Sequence, residues 1–225
     1  NEHKAEPGID VTVSYMRKLP REAPAGTKWV YKTGETNLIG VLVSKATGKK
    51  LSDYLSEKVW APFGMEQDAS WLLGSSGHEI SGCCIQASTR DYARFGMFIL
   101  GGVVNGKAIL PDGWIASATT KQADIGAPGR GYGYQWWTYD DGSYAAQGIF
   151  GQGIFIDPKR RLVIASNSNW PRAVDPAVYD LYLRGRHAWN QRTPEGLKTA
   201  IEYLFCSPSP ARTPTAAHQP MTSRR

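Results

Sequence analysis

The sequence is poor in the groups that would announce several functional classes. It has only three cysteines, Cys83 and Cys84 side by side and Cys206 far away, so it offers neither a disulfide framework nor a Cys-x-x-Cys motif. The cysteines are expected to be small buried hydrophobes. His3, His78, His187 and His218 stand apart without ligand spacing, so no metal site is expected. No apolar run approaches the length needed to span a bilayer, and no signal-peptide pattern opens the chain. A cytoplasmic protein without cofactor and without membrane contact is the expectation.

Nucleophile signatures are missing too. Acyl transfer by a Ser-x-x-Lys pair needs hydroxyl and amine three positions apart on one helix face, and no Lys here has a Ser three positions earlier. Thr47-Gly48-Lys49-Lys50 has the nearest spacing, but Gly48 reads as a helix end. There is no Gly-x-Ser-x-Gly elbow, and Gly74-Ser75-Ser76-Gly77 reads as a flexible loop. Gly148, Gly151 and Gly153 lack the Lys and Ser/Thr of a phosphate cradle and read as close strand contacts. The formal charge of +6 comes from scattered residues. Its densest run, Lys159-Arg160-Arg161, follows Asp157-Pro158 in an expected hairpin turn, so no nucleic-acid surface is read from it.

What the sequence does contain is enough chain, 225 residues with 41% apolar side chains, for one domain or most of a larger one. Residues 1–28 read as irregular, broken by Pro7, Pro20 and Pro24. A helix over 37–47 capped by Thr36 and closed by Gly48, a second over 51–60, and a third over 89–100 capped by Ser88 or Thr89 follow from apolar spacing and caps. A turn at Asn105-Gly106 leads past Pro111 to a short helix containing Trp114. From 130 onward the period changes. Tyr132, Tyr134 and Trp136 alternate, Asp140-Asp141-Gly142 makes a turn, and 143–150, 152–157 and 161–167 read as consecutive strands. Strands joined by short turns after helical material predict an α+β fold with an antiparallel sheet. A helix over 193–206 and a disordered Pro-, Ser-, Thr- and Arg-rich tail over 207–225 complete the reading.

One phenol stands out. Tyr31 follows Trp29-Val30 and precedes the first strong helix. It would relay a proton if a neighbouring ammonium stabilised its anion; packing beside Trp29 is the other reading.

Four stretches together carry a family resemblance: Trp29 to Gly40 (WVYKTGETNLIG), Leu51 to Met65 (LSDYLSEKVWAPFGM), Gly82 to Gly102 (GCCIQASTRDYARFGMFILGG) and Gly131 to Pro158. The chain resembles the serine β-lactamase, penicillin-binding-protein and carboxylesterase superfamily, and within it the 6-aminohexanoate-dimer hydrolase group. The resemblance implies a partial β-lactamase/transpeptidase-like fold in which C-terminal antiparallel strands pack with helices. It also implies a C-terminal portion of the hydrolase domain over 1–180, followed by a divergent segment over 181–206 and the tail over 207–225.

For the site, the resemblance implies a proton-shuttling role for Tyr31, an oxyanion-binding backbone N–H at Ile149, and a substrate-facing Gly148. Two departures bear on the substrate. Tyr31-Lys32-Thr33 stands where the family often has Tyr-x-Asn, and Ala146-Gln147-Gly148 where it often has Lys or His before Thr-Gly. With that cation absent, the implied substrates are linear amides or short esters rather than penicillins. The chain is therefore expected to be an incomplete serine hydrolase, completed by a separate N-terminal segment; a homodimer is the other partner expected. The alternative is an inactive remnant or binding module. Alone, the chain is expected to be poorly stable or aggregation-prone.

Overall fold

The structure, a computed structural model, describes residues 4–169 and Glu195. The expected helix over 193–206 and tail over 207–225 lie outside the described residues, Glu195 apart. Contacts divide the chain after Asn169, and the sheet with its helices belongs to the first unit.

Five α-helices are interleaved with short strands among the described residues: α1 (Val11–Met16), α2 (Thr33–Thr47), α3 (Leu51–Leu55), β1 (Ser70–Trp71), β2 (Ile85–Gln86), α4 (Thr89–Gly101), β3 (Val103–Val104), β4 (Lys107–Ala108) and α5 (Trp114–Thr119). The strands β5 (Ala123–Asp124), β6 (Arg130–Tyr132), β7 (Trp137–Tyr139), β8 (Tyr144–Gln147), β9 (Gly153–Asp157) and β10 (Leu162–Ser166) then build one sheet. Its order, β10-β9-β8-β7-β6-β5, makes every strand the antiparallel neighbour of the next in sequence. The fold is α+β, as its turns and hydrophobic periods predict.

Local chemistry explains most boundaries. Ser88 caps α4 by accepting from the Asp91 amide at 3.1 Å, and Gly102 ends it in the left-handed region at φ 66°. Gly48 ends α2 in the same way. α2 begins a turn earlier than expected, at Thr33, so Thr36 lies inside it instead of capping it. The second expected helix continues from α3 through a π-helical turn, Ser56–Trp60. The opening segment is not wholly irregular: Asp10 caps α1 by accepting from the amides of Thr12 (2.8 Å) and Val13 (3.3 Å).

Two expectations need correction. Tyr132, Tyr134 and Trp136 do not share one strand, because residues 133–136 turn the chain between β6 and β7. Gly133 donates to the Trp136 carbonyl at 2.8 Å, Gln135 adopts φ 66°, and a Cβ at Gly133 would strike the carbonyl of Ala118. Close approach to α5 therefore overrides the alternating pattern. Cys83 and Cys84 are not separate buried hydrophobes either. They are joined by a disulfide in the loop before β2, where Cys83 is exposed and Cys84 half-buried.

The core lies between α4 and one face of the sheet. Tyr144, Ile154 and Ile156 are buried with Phe98, Ile99, Val104, Ala118 and Trp136, and Ala146 and Val163 pack against them. Burying each large apolar side chain contributes about 1.5–3 kcal/mol. Asp91, fully buried at the start of α4, accepts from the amides of Glu66 (2.7 Å) and Gln67 (3.2 Å) and ties the preceding loop to the helix. Away from this core α2 leaves Ile39 and Leu42 exposed, the latter at 67%.

Candidate active site

Strand alternation places Arg130 and Tyr132 of β6, Trp137 and Tyr139 of β7 and Gln147 of β8 on the sheet face opposite the α4 core. Trp29 and Tyr31, in the segment entering α2, both reach this face. Trp29 lies 5.4 Å from Tyr132 and 6.0 Å from Trp137, ring centre to ring centre. Tyr31 stacks on Trp137 at 5.7 Å with an interplanar angle of 19° and meets Tyr132 edge-on at 6.0 Å. Tyr31 nevertheless stays 55% exposed, a phenol presented on an aromatic wall. Burial pushes the Tyr132 hydroxyl up to about 12, with the Tyr31 phenol adding to the shift, so Tyr132 holds its proton throughout the neutral range.

The cation beside Tyr31 in sequence is engaged elsewhere. The Lys32 ammonium binds Glu22 at 2.5 Å, and Lys28 binds the same carboxylate at 2.5 Å. The Glu22 hydrogen bonds to Lys28 and then Lys32 bring its pKa down to about 2, and the bond to Glu22 raises that of Lys32. These groups are exposed to water, so the network fixes charge more than it stabilises the fold.

Gly148 and Ile149 lie in the turn joining β8 to β9. Gly148 donates to the Gln152 carbonyl at 2.8 Å, its own carbonyl accepts from Gly151 at 3.2 Å, and Phe150 donates to the Gln152 side chain at 3.0 Å. Among the described residues the Ile149 amide hydrogen has no acceptor, and Ile149 is 53% exposed. The Gln152 side chain occupies the space a Cβ at Gly148 would need. The Gln152 side chain folds over Gly148 and would have to move to admit a Cβ there, and Gln152 is a candidate-site residue that sequence reasoning missed.

Arg130 was missed as well. Its guanidinium lies 5.8 Å from the Trp137 ring and 5.5 Å from the Tyr139 ring. One nitrogen reaches the Gln147 side-chain oxygen at 3.5 Å, while the Gln147 amide donates to the Tyr139 hydroxyl at 3.1 Å. Through Trp137, Arg130 and Gln147, the wall carrying Tyr31 is continuous with the turn carrying Ile149. The only hint in the sequence was a charged residue two positions before Tyr132.

The weak nucleophile candidates stay weak. The Thr47 hydroxyl donates to the Val43 carbonyl at 2.8 Å, and Lys50 lies beyond the break at Gly48, outside both α2 and α3. Gly74-Ser75-Ser76-Gly77 is a tight turn, closed by the Gly77 amide on the Gly74 carbonyl at 2.9 Å. Among the described residues no group of three or more His, Cys, Asp or Glu could hold a metal, and no helix is long and apolar enough to cross a membrane.

An antiparallel sheet packed on α4, with an exposed phenol against its other face, defines an α+β protein of β-lactamase-like architecture. The chain belongs to the beta-lactamase family, whose model matches residues 1–188. A curated relative, the 6-aminohexanoate-dimer hydrolase of Paenarthrobacter ureafaciens, is 28% identical over 172 residues, which cover 71% of this chain and 44% of the relative. Among solved structures, one named "Putative 6-aminohexanoate-dimer hydrolase from Bacillus anthracis" superposes with a TM-score of 0.68 at 28% identity, covering 81% of this chain and 50% of that one. Simvastatin synthase (LovD) from Aspergillus terreus matches at TM-score 0.57 and 18% identity, over 87% of this chain and 59% of that one, a likeness of fold alone. The chain spans about half the length of the two 6-aminohexanoate-dimer hydrolases it matches.

Proposed function

We propose that this chain is the sheet-bearing portion of a serine hydrolase that cleaves linear amides of the 6-aminohexanoate-oligomer type, or short esters, through an acyl-enzyme. The observation that carries the reading is the Ile149 amide hydrogen, which has no acceptor among the described residues and belongs to an exposed turn residue. An amide hydrogen without an acceptor is what a developing oxyanion needs, because no existing bond has to break as charge forms. The nucleophilic serine would attack the carbonyl carbon, and the oxyanion would take a hydrogen bond from Ile149. Tyr31 would relay the proton given up by the serine hydroxyl to the leaving nitrogen as the C–N bond breaks. Water would then attack the acyl-enzyme, releasing the acid and restoring the serine hydroxyl. Family membership and the likeness to 6-aminohexanoate-dimer hydrolases support the substrate class.

The sequence contains no Ser-x-x-Lys, so the nucleophile would have to come from another segment. The same absence favours a second reading, an inactive family member that keeps the site for binding.

The test is hydrolysis of a chromogenic short-chain ester and a linear amide, by this chain and by a longer polypeptide that contains it. The chain alone is expected to match buffer. The longer polypeptide is expected to turn over, with Tyr31→Phe lowering kcat by about 100- to 10,000-fold. Turnover by the chain alone, abolished by a serine-reactive phosphonate, would sink the assignment of an external nucleophile. A silent longer polypeptide would leave the binding reading.

A further inference from the structure

Cys83 and Cys84 are neighbours in the chain and are joined by a disulfide. A disulfide stabilises a fold chiefly by closing a loop of the unfolded chain, and the effect grows with the length of that loop. With no residue between the two cysteines, this bond closes almost none. It is therefore not a staple of the fold, and what it constrains is the backbone of the pair itself. Cys84 lies at φ 78°, in the left-handed region that residues with a side chain seldom enter.

Neighbouring segments are anchored on that backbone. The Cys84 carbonyl accepts from the Leu72 amide at 3.1 Å, and the Cys83 carbonyl accepts from the Trp71 indole at 3.0 Å. Just before the pair, the Gly82 amide donates to the Asn37 side chain at 2.6 Å, and the Ser81 hydroxyl donates to the Thr36 carbonyl at 3.2 Å. A Cβ at Gly82 would lie 2.6 Å from the Thr33 methyl, so the loop sits directly on the first turns of α2. That helix begins two residues after Tyr31. The disulfide is thus linked, through one short loop, to the segment that carries the phenol.

Exposed disulfides are the labile ones, and Cys83 is exposed. We propose that the Cys83–Cys84 disulfide is a redox modification site opened by small dithiols, and that opening lets Cys84 leave the left-handed region and releases the loop over residues 80–84 from α2. A thiolate of the dithiol attacks one sulfur, the S–S bond breaks, and a mixed disulfide forms. The second thiol of the reagent then displaces the protein sulfur. Both cysteines end as thiols, holding the two electrons and two protons that the dithiol gives up as it closes into its own disulfide. With the ring open, no covalent restraint keeps Cys84 at positive φ, and the relaxing backbone gives up its bonds to Leu72, Trp71 and Asn37. The inference stands apart from the acyl-transfer reading.

Alkylation and hydrogen exchange, both read by mass spectrometry, test it on the full chain, with Cys206→Ser removing the third thiol. Iodoacetamide is expected to label neither cysteine before dithiothreitol and both after it. Reduction is expected to speed exchange of the Leu72 and Gly82 amides about tenfold, the scale of one lost hydrogen bond, while β8 to β10 exchange as before. Reoxidation should restore the protection. Cys84→Ser should exchange like the reduced chain whether or not dithiothreitol is present. Cys84→Gly also lacks the ring, but glycine enters the left-handed region freely, so both amides should stay protected.

Cysteines that alkylate before any reductant, or a pair that dithiothreitol leaves closed, overturn the proposal. Leu72 and Gly82 amides that exchange alike in the two states, or that are unprotected in both, overturn it as well. Protection lost from β8 to β10 together with the loop makes the bond a staple of the fold, with the same consequence. A Cys84→Gly chain that exchanges like Cys84→Ser overturns the part assigned to the positive φ.

Discussion

Tyr144 carries a buried hydroxyl with no hydrogen-bond partner among the described residues, although its ring is only 2% exposed. The ring packs edge-on against Trp136 at 5.4 Å and takes no advantage of its oxygen. Burial alone lifts its pKa to about 12. Tyr144→Phe keeps the packing and removes the stranded polar atom, so urea unfolding should show stability unchanged or raised by about 1 kcal/mol. Asp91 is the opposite case, buried and fully used. Burial pushes its carboxyl up, but the amides of Glu66 and Gln67, the Ser88 hydroxyl and the Arg94 guanidinium outweigh this and hold its pKa below the usual aspartate value. A lowered folded pKa means that the carboxylate stabilises the fold above the unfolded value of about 3.9, and that this contribution is lost as pH falls through the folded value. Asp91→Asn should therefore flatten the acid limb of the stability curve below about pH 4. Asp91→Ala, which strands two amides, should cost about 2–4 kcal/mol at neutral pH by denaturant titration. At this scale the sequence was informative where a local rule applied: Ser88, which bonds Asp91, was readable as a cap of α4. The Asp91 bonds to Glu66 and Gln67, some 25 residues earlier, are long-range and leave no local pattern.

The α4–sheet contact depends on Gly96. A Cβ there would lie 2.5 Å from a Val163 methyl and 2.8 Å from an Ile154 methyl. Alanine would favour the helix by up to about 1 kcal/mol, but forcing α4 off β9 and β10 costs about 1–3 kcal/mol. The second effect should prevail, so Gly96→Ala should lower the urea midpoint with little change in slope. Element boundaries were legible where one residue dictates them, as at Ser88, Gly48 and the Asp140-Asp141-Gly142 turn. They were illegible where a distant backbone intervenes, as at Gly133 beside α5, or where the helix is too short for a period, as in α1. The candidate site divides along the same line. Tyr31, Gly148 and Ile149 came from the order of motifs. Arg130, Trp137 and Gln152 act across strands or around a turn, and only the register brings them into contact.

The described unit combines one well-filled core with an α2 surface that is bare at Ile39 (49%) and Leu42 (67%). Exposed apolar groups of this kind favour association of one molecule with another. Leu42→Lys should change unfolding free energy by less than about 0.5 kcal/mol while lowering the concentration-dependent scattering of the purified chain. Scattering that does not change would remove this helix face as its source. At this scale the fold class was the most legible feature, because consecutive short strands separated by turn residues leave few topologies open. Substrate preference was the least legible, since it depends on which side chains the sheet carries to one strand end.

The meander has a kinetic side. Every strand from β5 to β10 pairs with its sequence neighbour, and the connections between them are at most five residues long. Closing such short loops costs little chain entropy, and hairpins of this size form in about 1–10 μs. The sheet can therefore nucleate at any turn and zip outward, whereas the bonds from Asp91 to Glu66 and Gln67 must wait for a distant segment to arrive. In pulse-labelled hydrogen exchange, amides of β8 to β10 should gain protection before those of Glu66 and Gln67. That order would have the turn carrying Ile149 assembled before the loop at 66–67 is tied to α4.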